Sequence, residues 1–273
     1  MSQQICIFGT PCYDHRVCYE FFRSSIETIS ALSGSGIPYG FIARAGDQFI
    51  AKARNKIVSE FLAIPQATDL FFIDDDVGWP AEAVLRLLNR PEDIVFGAYP
   101  KKQAETDFPV ELVADSVTGA LNERDGMVMA KAGPTGFMRI KRHVLERLAE
   151  HSGTFHEIDA DGVDRTHPNI FRTGVSEDGF FCGEDYIFCQ NWLALGGELW
   201  CVPDIEFTHR GNKMWRDTLA NHLDVFRAKG IAVAKEKSAN DRPLPPENAT
   251  PERTDREASG GHGDRRGVGP QIH

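Results

Sequence analysis

Asp74-Asp75-Asp76 puts three carboxylates in succession directly behind the apolar run Leu70-Phe71-Phe72-Ile73. Like charges at that separation repel strongly unless a cation sits among them. Carboxylate oxygens without a thiolate partner suit Mg²⁺ or Mn²⁺, and such an ion can bridge two phosphates of a nucleotide diphosphate. A second acidic pair, Glu184-Asp185, follows Phe180-Phe181-Cys182-Gly183 and opens a helical pattern. A helix N-terminus stabilises a nearby anion, so a carboxylate there stays ionised and can accept a hydroxyl proton. Further on, Ile205-Glu206-Phe207-Thr208-His209 ends an extended pattern in a histidine, with Arg210 and Lys213 close behind. Each group has an ordinary reading too: a solvated acidic turn before the helix at Pro80, an acidic first helical turn, a structural histidine. Their order along the chain favours the chemical one.

These groups need a frame, and the chain supplies alternating extended and helical patterns, the signature of parallel strands joined by crossover helices. Strands are expected over 4–9, 39–43, 70–73, 93–97, 137–140, 198–202 and 205–209. Helices are expected over 14–32 with Asp14 as cap, 48–62, 80–88, from 141, and 184–195, where Gly196-Gly197 stops the pattern. On the helix over 48–62, Ile50, Ala53, Ile57, Val58 and Phe61 share one face, as on a helix lying on a sheet. The stretch 100–129 lacks periodicity and reads as short strands and a mobile loop. Open α/β sheets bind ligands at the carboxyl ends of their strands, where the three aspartates emerge. The expected fold is therefore α/β: one Rossmann-like domain over 1–236, with a mixed, mostly parallel central sheet flanked by helices. From 237 to 273 the chain turns to Pro, Gly, Asn and charge, and a disordered tail is expected.

With 273 residues the chain can bury one sizeable core. Its net charge of −10 argues against duplex nucleic acid as the default partner, because gripping a phosphate backbone calls for clustered Lys and Arg. The six cysteines lack the paired spacing of a zinc site and read as reduced thiols. No secretory leader and no membrane-spanning apolar stretch is evident, so a cytoplasmic protein without a membrane anchor is expected.

Phe71-Phe72-Ile73-Asp74-Asp75-Asp76 resembles the DXD motif of GT-A glycosyltransferases, such as those of the family 2 type, which act on nucleotide-diphospho-sugars. Gly183-Glu184-Asp185 is similar to the segment where inverting members, galactosyltransferases included, place their catalytic base. The resemblance runs in order over about residues 4–215. It implies that Asp76, with Asp74 and His209, holds Mn²⁺ or Mg²⁺, and that Asp74 and Asp75 contact the donor. It further implies Asp185 as base, Glu184 as acceptor contact, and Arg210 and Lys213 on the diphosphate. Thr10-Pro11-Cys12-Tyr13-Asp14 resembles the segment that holds nucleobase and ribose, so Pro11, Tyr13 and Asp14 join the donor site, with Tyr13 placed to stack on the base. Arg54, in Ala53-Arg54-Asn55, matches an Arg-Asn element near the donor, and a guanidinium there suits phosphate or base recognition. Gly136, in Gly133-Pro134-Thr135-Gly136, matches the place where the donor sugar lies against the main chain, an approach that a missing Cβ permits.

The activity this implies is metal-dependent transfer of a sugar from a nucleotide diphosphate, with inversion, to a polysaccharide, protein or modified-base acceptor. No acceptor pattern is evident between Pro100 and Gly133 or over 152–175. Two other classes share parts of the pattern. A sugar-phosphate nucleotidyltransferase needs a Gly-rich basic loop after its first strand, which Phe8-Gly9-Thr10-Pro11-Cys12-Tyr13 is not. A non-catalytic sugar-nucleotide binding module would keep the metal site without turnover.

Overall fold

The structure, a computed structural model, describes residues 3–159, 161–176 and 178–240. Its first half runs β1 (Cys6–Cys12), α1 (Tyr19–Ser35), β2 (Tyr39–Ala45), α2 (Ile50–Leu62), β3 (Asp69–Ile73), β4 (Val77–Gly78), α3 (Ala81–Leu88) and β5 (Ile94–Phe96). Then come β6 (Glu111–Leu112), β7 (Glu123–Arg124), β8 (Met127–Ala132), β9 (Phe137–Lys141) and α4 (Arg142–His151). The remainder is β10 (Thr154–Ile158), β11 (Asp164–Pro168), β12 (Gly174–Val175), β13 (Phe181–Cys182), α5 (Glu184–Ala194), β14 (Leu199–Cys201), β15 (Glu206–Arg210), β16 (Met214–Thr218) and α6 (Leu223–Asn240).

Among the described residues, nine strands form the central sheet in the order β2-β1-β3-β9-β5-β14-β8-β6, with β7 also on β8. β2, β1 and β3 are parallel neighbours, as are β5 and β14. β9 lies antiparallel between β3 and β5, and β8 antiparallel beside β14. The crossover through α3 thus leaves a gap that β9 fills later from the opposite direction. A mixed sheet flanked by helices is what the sequence pattern led us to expect, but it is not mostly parallel, because β9 and β8 each run against all of their neighbours.

Side chains alternate between the two faces of a strand, and the buried residues sort accordingly. Ile7, Leu70, Phe72, Phe96, Met138 and Ile140 pack with Ile57 and Phe61 of α2, Leu145 and Leu148 of α4, and Phe188 and Trp192 of α5. On the other face Cys6, Phe8, Phe71, Ile73, Val95 and Phe137 meet Leu32 of α1 and Val84 and Leu87 of α3. β3 is buried along its whole length. Whatever follows Ile73 is consequently anchored in the core.

Several local expectations are corrected. β1 continues to Cys12 because β2 pairs with it that far, Pro11 lying opposite Arg44. α1 starts at Tyr19, not at Asp14: His15 takes a φ of 60°, which breaks a helix, and Cys18 is the cap, its Sγ accepting from Phe21 N–H at 3.3 Å. Asp14 instead accepts from the N–H of Arg16 at 3.3 Å. The loop-rich stretch after α4 holds the hairpin β10–β11, with Thr154 opposite Pro168. β15 lies outside the main sheet, in a small sheet ordered β16-β15-β4. Of the tail expected from 237, residues 237–240 end α6 and residues 241–273 lie outside the described residues. All six cysteines are free, and no described helix is long and apolar enough to cross a membrane.

Arg139, mid-β9, has no exposed surface, which the sequence pattern gave no reason to expect. It donates to the carbonyls of Leu87 (3.3 Å), Arg90 (2.8 Å), Glu92 (2.7 Å) and Asp93 (3.3 Å), binding the turn between α3 and β5 to the sheet. Arg139→Met strands those carbonyls, and unsatisfied buried groups cost about 1–3 kcal/mol each. Urea unfolding is expected to show a loss of roughly 3 kcal/mol or more; an unchanged midpoint would contradict the clamp.

Candidate active site

At the carboxyl end of β3 the three aspartates part company. Asp74 N–H donates to Gly136 O at 3.0 Å, tying the end of β3 to the start of β9. Its carboxylate accepts from Arg54 Nη2 at 2.8 Å and from the Tyr99 hydroxyl at 3.1 Å. A Cβ on Gly136 would collide with both Asp74 Oδ2 and the Tyr99 hydroxyl, so only glycine allows this approach. Arg54 is 2% exposed, and its other arm pairs with Glu184 at the start of α5. One guanidinium on α2 therefore joins the acidic groups of β3 and α5. Burial raises Glu184 above the usual carboxylate range, against the pull of Arg54. Burial, reinforced by the Asp74 charge, pushes the Tyr99 hydroxyl well above its ordinary value and keeps it a donor.

Asp76 faces a different set. His209 Nε2 lies 3.3 Å from Asp76 Oδ1, and Lys102 pairs with Oδ2. The distance to His209 is set by backbone as well as side chain: His209 is registered against Val77, and Arg210 N–H donates to Asp76 O at 2.8 Å. His209 Nδ1 lies 2.7 Å from Pro100 O, an acceptor, so Nδ1 carries the proton. In a neutral imidazole the Nε2 lone pair then points at a carboxylate oxygen, which repels unless a proton or a cation lies between them. Burial opposes ionisation of Asp76, yet the hydrogen bonds from His209 and Lys102 hold its carboxyl below the usual range.

Asp75 turns toward β1. Burial pushes it up to about 6, the Cys12 thiol works against this, and the charges of Asp76, Asp74 and Asp14 add to it. Cys12, Asp14 and Asp75 each place a ligand atom within 4.8 Å of the others. Burial first, and Asp75 next, push the Cys12 thiol up to about 11.

A cavity of about 330 Å³ opens over this end of the sheet, lined by Asp74, Asp75, Asp76, Pro11, Tyr13, Tyr99, Lys102 and His209, among others. Of the residues expected at the site, Arg54 and Glu184 sit behind Asp74, Gly136 beneath it, and exposed Asp14 pairs with Arg16 at 3.7 Å. Asp185 is half-buried; its Oδ1 accepts from the Tyr186 N–H at 2.8 Å, and its charge is felt by Arg54 and Tyr99. Arg210 and Lys213 are not brought in. Arg210 turns to Glu20 of α1 (Nε to Oε2 3.2 Å), and the Lys213 ammonium lies 4.9 Å from the centre of the Trp215 ring. A larger cleft of about 790 Å³ lies beside α2 and the β10–β11 hairpin and shares Asp47 with the cavity. Its charges are largely paired internally, Lys56 with Asp47 and Glu157, Arg44 with Glu60, and Arg165 with Asp159.

For a divalent cation the donor set is suitable in part. Asp76 oxygens and His209 Nε2 face one another, the imidazole is fixed through its other nitrogen as metal-binding histidines are, and a cation, Lys102, already sits on Asp76. Both oxygens of Asp74 are engaged by Arg54 and Tyr99, so Asp74 stands behind that pair rather than in it.

Sequence reasoning missed Tyr99 and Lys102, which leave the carboxyl end of β5 in Gly97-Ala98-Tyr99-Pro100-Lys101-Lys102. The available signal was a Tyr and two Lys directly beyond a buried strand, the place where strand ends meet ligands.

No family model matches the chain, and no curated protein matches it in sequence. Solved structures are similar to parts of it, two among them as follows. Protein A197 from STIV is 17% identical, over 77% of this chain and 86% of that one, with a TM-score of 0.43. A glycosyltransferase involved in the glycosylation of the major capsid of PBCV-1 is 12% identical, over 53% and 62%, with a TM-score of 0.29. Neither similarity is close enough to identify this chain.

Removing Arg54, itself buried, leaves two half-buried carboxylates, Asp74 and Glu184, without their shared cation. Breaking a buried pair costs about 3–5 kcal/mol, and an ammonium cannot span both partners as a guanidinium does. Arg54→Met is expected to lose that much in thermal or urea unfolding, and Arg54→Lys to recover less than half of it. Full recovery by lysine would mean that bridging is not what Arg54 supplies.

Proposed function

We propose that the chain is a metal-dependent glycosyltransferase, moving a sugar from a nucleotide diphosphate to an acceptor hydroxyl with inversion. The observation that carries this reading is the facing of Asp76 and His209 across the end of β3, with the imidazole held through Nδ1 by Pro100 O so that Nε2 meets a carboxylate oxygen. Two ligands of that kind call for a hard or borderline divalent ion, Mn²⁺ or Mg²⁺. When bound, the ion neutralises the diphosphate and eases its departure.

The chain's own residues would do the rest. Tyr13 is exposed at the rim of the cavity and offers an aromatic face to a nucleobase, with Pro11 beside it. Asp74, immobilised by Arg54 and Tyr99, presents a fixed charge to the cavity, and Gly136 serves that placement, because Asp74 and the Tyr99 hydroxyl take the space that a Cβ there would fill. Asp185, at the N-terminus of α5, accepts the acceptor's hydroxyl proton as the oxygen attacks the anomeric carbon and the nucleotide diphosphate leaves. Glu184, which the sequence resemblance made an acceptor contact, is committed to Arg54; in this mechanism it positions Asp185 by anchoring the start of α5.

The direct test is a thermal-shift and donor-hydrolysis screen of nucleotide sugars with and without Mn²⁺. A metal-dependent shift accompanied by hydrolysis supports the enzyme; a shift without any turnover would leave only a binding module. Asp76→Asn is expected to abolish metal-dependent turnover. Asp185→Asn should keep donor binding while slowing transfer by roughly 10² to 10⁴, the scale for a positioned base. Undiminished transfer by Asp185→Asn would remove that residue from the mechanism.

A further inference from the structure

The candidate cavity is crowded with negative charge: Asp47, Asp74, Asp75 and Asp76 all line it. A diphosphate entering it needs cations, and most of the nearby ones are already engaged. Both arms of Arg54 hold Asp74 and Glu184, Arg210 holds Glu20, and Lys213 lies over Trp215. Lys102 is the one lysine or arginine among the lining residues.

Resting on the glycosyltransferase reading above, we propose that Lys102 is an exchangeable counter-ion, neutralising Asp76 in the metal-free protein and turning to the donor's diphosphate once a divalent cation takes Asp76.

The backbone around Lys102 is pinned on both sides. Pro100 O accepts from His209 Nδ1 at 2.7 Å, and Gln103 O accepts from Trp215 Nε1 at 2.7 Å. Neighbouring Lys101 is committed to Asp107 at 2.6 Å. The exchange therefore needs side-chain rotation alone, with the segment itself held to β15 and β16. The lysine stem crosses Gly211 in the turn between those strands, where an added Cβ would lie 3.1 Å from Lys102 Cδ and 3.0 Å from the Trp215 ring. The side chain keeps about a third of its surface exposed (34%), as does Asp76 (31%), so their pairing is of the weak, solvent-screened kind. A divalent ion on Asp76 and His209 outcompetes such a contact and repels the ammonium. The nearest new negative charge is the diphosphate on that same ion, and a lysine, compact and flexible, can follow it.

The two halves of the exchange predict opposite effects of one substitution. Calorimetry on the full chain would measure binding of Mn²⁺ alone, then of uridine, guanosine, adenosine and cytidine diphosphates at saturating Mn²⁺. Lys102→Met is expected to bind Mn²⁺ alone more tightly by roughly three- to tenfold, because the competing cation is gone. The same variant should bind the nucleotide that the unaltered protein prefers about tenfold more weakly, while Lys102→Arg keeps both affinities near the original. Unchanged affinities in Lys102→Met, or shifts of both in one direction, would overturn the exchange. If the unaltered protein bound none of the nucleotides with Mn²⁺, the glycosyltransferase reading itself would fall, and that arm alone would show it.

Discussion

One buried guanidinium, that of Arg54, is the constraint on which the candidate site rests. Asp74 emerges from a fully buried strand and Glu184 starts a helix that packs into the same core, and without a cation between them these carboxylates would repel in a low-dielectric setting. The arm of Arg54 comes from α2, whose apolar face packs Ile57, Val58 and Phe61 into the core. Displacing the guanidinium therefore means moving a helix. Geometry at the end of β3 is thus inherited from hydrophobic packing, and the polar contacts report a position already decided.

The two acidic positions on either side of Asp75 end up in different electrostatic worlds. Asp74 is neutralised permanently, by a guanidinium that cannot lose its proton and a phenol held in its donor form. Asp76 is balanced by groups that can leave or change state, an amine on a rotatable stem and an imidazole. A division between a fixed charge and an exchangeable one is what a site that takes up a cation needs, since the fixed member holds shape while the other changes partners. Asp75 points back to Cys12 and joins β1 to the same corner.

Much of this was readable from residue types. The strand before the aspartates, the helix after Gly183 and the extended run into His209 follow from apolar periodicity and from punctuation by Gly and Pro, and the order of the three acidic or basic stretches followed from the chain itself. The role of Arg54 was only half visible: an Arg-Asn pair on the face of α2 suggested phosphate or base recognition, whereas its geometry is that of an internal bridge. Lys102 was hidden because its segment has no period, and its place depends on hydrogen bonds from His209 and Trp215, more than a hundred residues away. Arg139 escaped for a similar reason. Four carbonyls from the end of α3 and the turn after it, with the Asp69 carboxylate 3.8 Å away, make a buried arginine tolerable, and no local pattern reveals carbonyls that point inward.

His209 does not ride on the central sheet. It belongs to the three-stranded β16-β15-β4 ladder, whose register puts His209 opposite Val77 and Thr208 opposite Gly78. Because strand side chains alternate with a period of two, adding or deleting one residue between Val202 and His209 would turn the imidazole to the far face and bring Thr208 or Arg210 toward Asp76. Lengthening the hairpin tip around Gly211 and Asn212 would leave that register alone. Insertions and deletions should therefore be unequal in their consequences, with the arm before the histidine fixed in length by register and the tip beyond it held only by packing of Gly211 against Lys102 and Trp215.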